Sequence, residues 1–133
     1  MKFVNLTPHA LRFRREVDDC PEPLSRDLVI EPDGRVARLE QTPLRQDNVG
    51  GIPVRRIAFT GRILDLPEPQ PTTVYIVSLL VAEIAVMQGR TDVMSPDGID
   101  LDEPPFTARG MRQYVPGDVA WREQYDATTL TGQ

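Results

Sequence analysis

A buried strand that runs directly into an apolar helix constrains the fold of this chain more than any other segment. Residues 72–77 are dense in β-branched and aromatic side chains, which is the composition of a central strand. Ser78 then occupies the position of a helix N-cap, and Gly89 occupies the position of a left-handed residue just beyond the helix C-terminus. We therefore expect a helix at about 78–89. One long strand through Ala82 is the alternative, because the first residues after Ser78 also suit β structure.

The predicted helix is apolar nearly all round. Only Glu83 and Gln88 are polar among the ten residues that follow Ser78. Such a helix must be covered on most of its sides, either by a sheet or by another subunit. The pattern therefore predicts a homo-oligomer as well as a core helix.

Short strands and proline-rich connections account for most of the remaining chain. Strand patterns occupy residues 3–6, 10–14, 28–39, 52–64 and 106–115. The segment 28–39 reads as a hairpin around an Asp-Gly turn, and Gly61 marks a bulge or turn. Loops are expected at residues 18–25, 41–51 and 92–105, and the alternate prolines of 66–71 predict a rigid connector.

These elements predict a small α+β protein, a β-rich single domain of about six to seven strands with hairpins and one central apolar helix. We expect the domain to span residues 1–127, with a short helix after residue 116 and a disordered tail at 128–133. A chain of 133 residues is long enough to bury one core.

The overall charge and the cysteine content exclude several classes of protein. The net charge is −5, so the broad attraction that drives non-specific nucleic-acid binding is missing. One cysteine excludes an intrachain disulfide, and no apolar run is long enough to cross a bilayer. Without a recognisable signal peptide, we expect a soluble cytoplasmic protein.

Four segments in fixed order resemble a group of small proteins found in bacteriophage and bacterial genomes. They are Asn5-Leu6-Thr7-Pro8-His9, Gly51-Ile52-Pro53-Val54, Leu66-Pro67-Glu68-Pro69 and Tyr75-Ile76-Val77-Ser78. An apolar helix and Arg90-Thr91-Asp92 ahead of Pro96 continue the likeness. The resemblance covers roughly residues 2–115 and departs at 98–103. It implies a phage-associated intracellular module and no particular chemistry.

Asn5, Thr7 and His9 form the first set of candidate ligand-binding residues. His9 is the only histidine, and a general base would need an orienting partner beside it. The alternative is structural, because side chains of these types commonly tie down a turn by bonds to the backbone.

Ser78 and Arg90 are the other two candidates. Ser78 lies where a helix N-terminus offers free amide donors to an anion, although N-capping is the structural alternative. Arg90 suits the helix C-terminus and a pair with Asp92. Twelve helical residues place the two about 18 Å apart, so one monomer cannot use both on one ligand.

No metal site, cofactor or catalytic set is predicted. The acidic residues between 92 and 103 do not follow the order of a calcium loop. The leading hypothesis is a binding module that captures a small anionic ligand such as a nucleotide, possibly against host defence. The alternatives are a protein-interaction or inhibitor module using the 92–103 loop and the connector, and a small hydrolase or lyase using His9.

Overall fold

A computed structural model describes residues 1–14, 27–100 and 104–115. That part of the chain contains one helix, α1 at Leu79–Met87, and nine strands. The strands are β1 Lys2–Asn5, β2 Leu11–Arg14, β3 Asp27–Ile30, β4 Arg38–Val49, β5 Ile52–Leu64, β6 Thr73–Ile76, β7 Val93–Asp97, β8 Phe106–Ala108 and β9 Gly110–Arg112. The predicted α+β class is confirmed, with more strands than the six to seven expected.

A four-stranded sheet in the order β1-β6-β7-β9 forms the middle of the molecule. Strands β1, β6 and β7 are parallel, and β9 runs antiparallel to β7. The connection from β6 through α1 to β7 is a βαβ unit. All four residues of β6 are buried, which confirms the central strand predicted at 72–77.

Both faces of this sheet are covered. On one face, Tyr75 and Val77 pack against α1 through Val81, Ala82 and Ala85. On the other face, Ile76 packs against a three-stranded sheet in the order β3-β2-β8, whose buried side chains are Leu11, Phe13, Ile30 and Ala108. Strand β6 is buried on both sides, which explains its uninterrupted run of apolar and β-branched residues.

The helix ends as its sequence predicts. The N–H of Arg90 donates to the carbonyl of Ala85, and that of Gly89 donates to the carbonyl of Val86. These two bonds form a Schellman motif, and Gly89 has the positive φ of 88° that the motif requires. Helical structure from Leu79 also shows that the alternative of one long strand through Ala82 is wrong.

The largest correction concerns residues 41–51, which were expected to be a loop. Residues 41–49 belong to β4, which pairs antiparallel with β5 along its length, and Gly50-Gly51 form the turn between the two strands. The strand was missed because most of its residues are polar or exposed on both faces, so no alternation marks it. Gly61 was predicted to mark a bulge or a turn, and the strands shift register there, opposite Glu40.

The hairpin expected at 28–39 is wrong. Strand β3 pairs with β2, and β4 pairs with β5, so the two halves of that segment belong to different sheets. Between them, the N–H of Asp33 donates to the carbonyl of Asn5, and the N–H of Ala37 donates to the carbonyl of Leu6. The segment runs beside the end of β1, where these long-range bonds replace the local ones of a hairpin.

Two further expectations near the C-terminal end need correction. The acidic segment 92–105 was expected to be a loop, yet residues 93–97 form β7 despite Pro96. The single strand expected at 106–115 is divided into β8 and β9, which join different sheets. The loop expected at 18–25, the helix after 116 and the tail at 128–133 lie outside the described residues. Residues 66–71 are described and form no helix or strand, as expected of a connector.

No helix in the described segments is long and apolar enough to cross a membrane.

Candidate functional site

The predicted residues Asn5, Thr7 and His9 lie together in the turn between β1 and β2. The Asn5 amide is 1% exposed and satisfies all of its hydrogen-bonding groups. Its Nδ2 donates to the carbonyls of His9 at 2.8 Å and of Ile30 at 2.9 Å. Its Oδ1 accepts from the backbone N–H of Thr7 at 3.0 Å and lies 2.6 Å from the Thr7 hydroxyl. Asn5 therefore holds this turn against β3.

His9 contributes its backbone to this network and directs its ring elsewhere. The ring is exposed and meets Phe106 edge to face, with the two centroids 4.9 Å apart. The Thr7 hydroxyl lies 3.1 Å from the His9 carbonyl, and with one proton it donates either there or to Asn5. In the described part of the chain, no hydrogen bond orients the His9 imidazole, so the pairing that a general base requires is not formed there.

Arg90 anchors the proline connector. Its Nε and Nη2 each lie 2.9 Å from a carboxylate oxygen of Asp92, which makes the pair bidentate. Nη2 also donates to the carbonyl of Pro67 at 2.8 Å, and the guanidinium lies 5.9 Å from the ring centre of Tyr75. The hydroxyl of Tyr75 donates to the carbonyl of Glu68. These contacts fix the connector across the end of α1.

The hydrogen bonds that Arg90 donates to Asp92 raise the pKa of Arg90 above its ordinary value, against the opposing effect of burial. The predicted pair of Arg90 with Asp92 is confirmed. Nε and Nη2 of Arg90 already donate to Asp92 and to the connector. A role of Arg90 in ligand binding stays a prediction.

Ser78 is the one predicted residue that lies beside a sizeable cleft. The cleft has a volume of about 470 Å³ and opens between the start of α1 and the base of the β4–β5 hairpin. Ser78 is at the N-cap position, as predicted, but its side chain makes no capping hydrogen bond. The first turn of an α-helix leaves its N–H groups without helical acceptors, so this end of α1 can donate to a ligand.

The remaining lining of the cleft combines charge, amide and aromatic groups. Arg38 and Gln41 come from β4, Phe59 comes from β5, and Leu80 comes from the first turn of α1. Phe59 is 54% exposed, so much of its side chain is accessible to a ligand. Sequence reasoning missed this set because β4 was read as a loop, and only the pairing of β4 with β5 brings its members together.

Two charged groups of the cleft already have partners. Nη1 of Arg38 donates to Asp65 at 2.7 Å, and Arg38 has further N–H groups on Nε and Nη2. Glu40 also lines the cleft, and it accepts a hydrogen bond from the Thr60 hydroxyl at 3.0 Å. The donors left for an anion in the cleft are therefore those of the helix N-terminus and the remaining N–H groups of Arg38.

A second cavity of about 390 Å³ lies at the other end of the central sheet, beside the connector. Its charged residues are Lys2, Asp33 and Arg35. Arg35 donates to Asp33 at 2.6 Å, and this bond lowers the pKa of the Asp33 carboxyl and raises that of the guanidinium. These three residues give the cavity a net charge of +1. No aromatic side chain among the described residues of its lining is as exposed as Phe59.

The structure thus separates the five predicted residues. Asn5, Thr7 and His9 share one turn, Arg90 anchors the connector, and Ser78 alone faces the larger cleft. Searches of protein families, curated proteins and solved structures find no match to this chain. The resemblance to phage-encoded proteins therefore stays a prediction from the sequence motifs.

Proposed function

We propose that the protein is a binding module that captures a small anionic ligand with a flat ring system, such as a nucleotide. The site is the cleft between Ser78 and Phe59. The carrying observation is that an uncapped helix N-terminus, an arginine and an open aromatic ring line the same concave surface. Amide donors and Arg38 suit a phosphate, and an exposed ring suits stacking on a base.

Under this proposal the protein is cytoplasmic and oligomeric. It removes a nucleotide signal and so protects a phage from host defence. The motifs shared with phage-encoded proteins and the half-exposed Leu79, Leu80 and Met87 of α1 support this part of the proposal.

Thermal unfolding across a panel of linear and cyclic nucleotides tests the proposal. A ligand present at a hundred times its Kd stabilises the native state by about 2.7 kcal/mol, which is a measurable rise in Tm. We expect Phe59→Ala to weaken binding about 5- to 150-fold, since stacking on one base contributes roughly 1–3 kcal/mol. Arg38→Ala should also weaken it, while its exposed pair with Asp65 contributes little to folding.

Two matched variants complete the design. Arg45→Ala removes an arginine from β4 outside the cleft, and its partner Asp47 keeps Arg56, so binding should not change. Arg35→Ala tests the second cavity. The proposal is wrong if no nucleotide raises the Tm, and the site is wrong if only Arg35→Ala weakens binding.

The main alternative is a protein-interaction module, and the β4–β5 hairpin favours it over an enzyme. Five large apolar side chains of the hairpin are exposed, namely Leu44, Val49, Ile52, Ile57 and Phe59. The connector and the 92–103 segment, which were first expected to bind a partner, are less suitable. Arg90 fixes the connector, and residues 93–97 form a strand. Capture of a host protein without any nucleotide effect would favour this alternative.

A further inference from the structure

The β4–β5 hairpin is a long ribbon that is attached to the molecule only near its base. Its strands contain 12 and 13 residues, and at about 3.4 Å per residue they extend roughly 40 Å. Near the base, Leu39 and Ile63 pack on the core, and the Gln88 side chain of α1 donates to the carbonyl of Gly61. We call residues 43–57 the arm. In the described part of the chain, its two strands pair only with each other.

The arm exposes more apolar surface than an isolated ribbon can tolerate. Leu44, Val49 and Ile52 are 59%, 52% and 66% exposed, and Ile57 is 39% exposed. A two-stranded hairpin is at best marginally stable in water unless a third strand or another element packs on it. The arm therefore needs a cover that its own chain does not provide among the described residues.

The distribution of charge along the chain indicates what covers the arm. The ribbon, residues 38–64, carries five arginines and two acidic residues, a net charge of +3. The other 106 residues carry ten basic and eighteen acidic residues, a net charge of −8. A second copy of this chain is therefore a partner of opposite net charge for the ribbon. Nucleic acid would attract the ribbon but would be repelled by the rest of the molecule.

The arm is better suited to docking through its faces than to pairing with an additional strand at its edges. Pro43 lies in β4 and Pro53 lies in β5, so each edge lacks a backbone donor within the arm. Arg45 and Arg56 both pair with Asp47, at 2.9 and 3.0 Å, which leaves one positive charge in excess on that face. Arg55 is exposed and lies opposite the uncharged Gln46.

We propose that the arm docks on a second copy of the chain, outside that copy's ribbon, covering the apolar side chains of the arm and placing its arginines against carboxylates. This assembly does not depend on ligand binding in the cleft. The apolar contact stabilises the assembly, and the opposite charges orient it.

Mass measurement by light scattering tests the proposal. At tens of micromolar, the wild-type protein should have a mass of at least twice 15.0 kDa. Leu44→Glu with Ile52→Glu should return it to one chain, because each change places a carboxylate where apolar contact is expected. Arg55→Glu should weaken assembly at least tenfold and reduce its salt dependence, since exposed charge pairs are screened by salt.

Val29→Glu with Ile99→Glu is the control, because both residues are exposed apolar residues outside the arm, at 41% and 39%. It should leave the mass unchanged, and circular dichroism should show all variants folded. A wild-type mass of 15.0 kDa at 100 micromolar overturns the proposal, as does an assembly that survives both arm variants. A monomer whose arm instead binds DNA overturns it in favour of nucleic acid.

Discussion

At the residue scale, Asn5 shows how one buried amide can organise three segments. It holds the turn before β2, receives the Thr7 N–H and ties both to the carbonyl of Ile30 on β3. Leaving a buried polar group without its partner is more costly than the net gain of an average hydrogen bond. Asn5 therefore matters for stability, and the motif Asn5-Leu6-Thr7-Pro8-His9 has a structural explanation that requires no ligand.

We expect Asn5→Ala to lower the free energy of unfolding by about 1–3 kcal/mol, because two carbonyls and one N–H lose their partner in a buried site. Thr7→Val should cost less, about 0.5–1.5 kcal/mol, since that hydroxyl makes one hydrogen bond at a time. Urea denaturation measures both. Equal losses for the two variants would contradict the central role of Asn5.

At the element scale, the end of α1 depends on backbone conformation more than on side-chain contact. Gly89 has a φ of 88°, and a Cβ added there would meet nothing within 4 Å. Any cost of substitution therefore comes from the left-handed backbone alone.

Gly89→Ala should destabilise the protein by about 1–2 kcal/mol, the usual penalty for an L-residue in that conformation. Gly89→Asn should lose less, because asparagine tolerates the left-handed region better. Thermal unfolding of the two variants provides the comparison. An alanine variant as stable as the wild type would show that the Schellman motif is not maintained in solution.

The elements also show which sequence signals were sufficient. The strand at 72–77, the start and end of α1 and the connector at 66–71 could be predicted, since each depends on local composition, capping or proline. The partner of β3 could not be predicted, because alternation shows that a strand exists but not which strand it joins. Residues 41–49 gave no signal at all, since a ribbon exposed on both faces has no buried side to impose a period.

The candidate site was only partly predictable for the same reason. Ser78 was found because a helix N-terminus has a sequence signature. Arg38 and Phe59 were missed because they reach the cleft through the register of β4 with β5, where Gln41 lies opposite Phe59. The cleft is formed by strand residues that are far apart in the sequence, so no short motif predicts it.

At the scale of the whole molecule, stability should be distributed unevenly. Strand β6 is buried between α1 and the three-stranded sheet, whereas the arm has no packed layer on either face among the described residues. Local opening is easiest where few apolar contacts must be broken.

Hydrogen exchange should therefore be slowest at the backbone amides of β6 and fastest, among the strands, at those of the arm. Dilution to nanomolar concentration should increase the difference, because a docked arm is protected only while the assembly persists. Mass spectrometry after deuterium labelling measures both. Arm amides as slow as those of β6 in the dilute protein would contradict this distribution of stability.

The pairing of β2 with β8 has a consequence for how the protein is made. Strand β2 ends at Arg14 and its parallel partner β8 begins at Phe106, with strands β3 to β7 and α1 between them in the sequence. At about 5–20 residues per second, a ribosome needs roughly 5 to 20 seconds to synthesise the intervening chain. During that time Leu11 and Phe13 have no finished sheet to enter. The fold can close only after nearly all of its strands have left the ribosome.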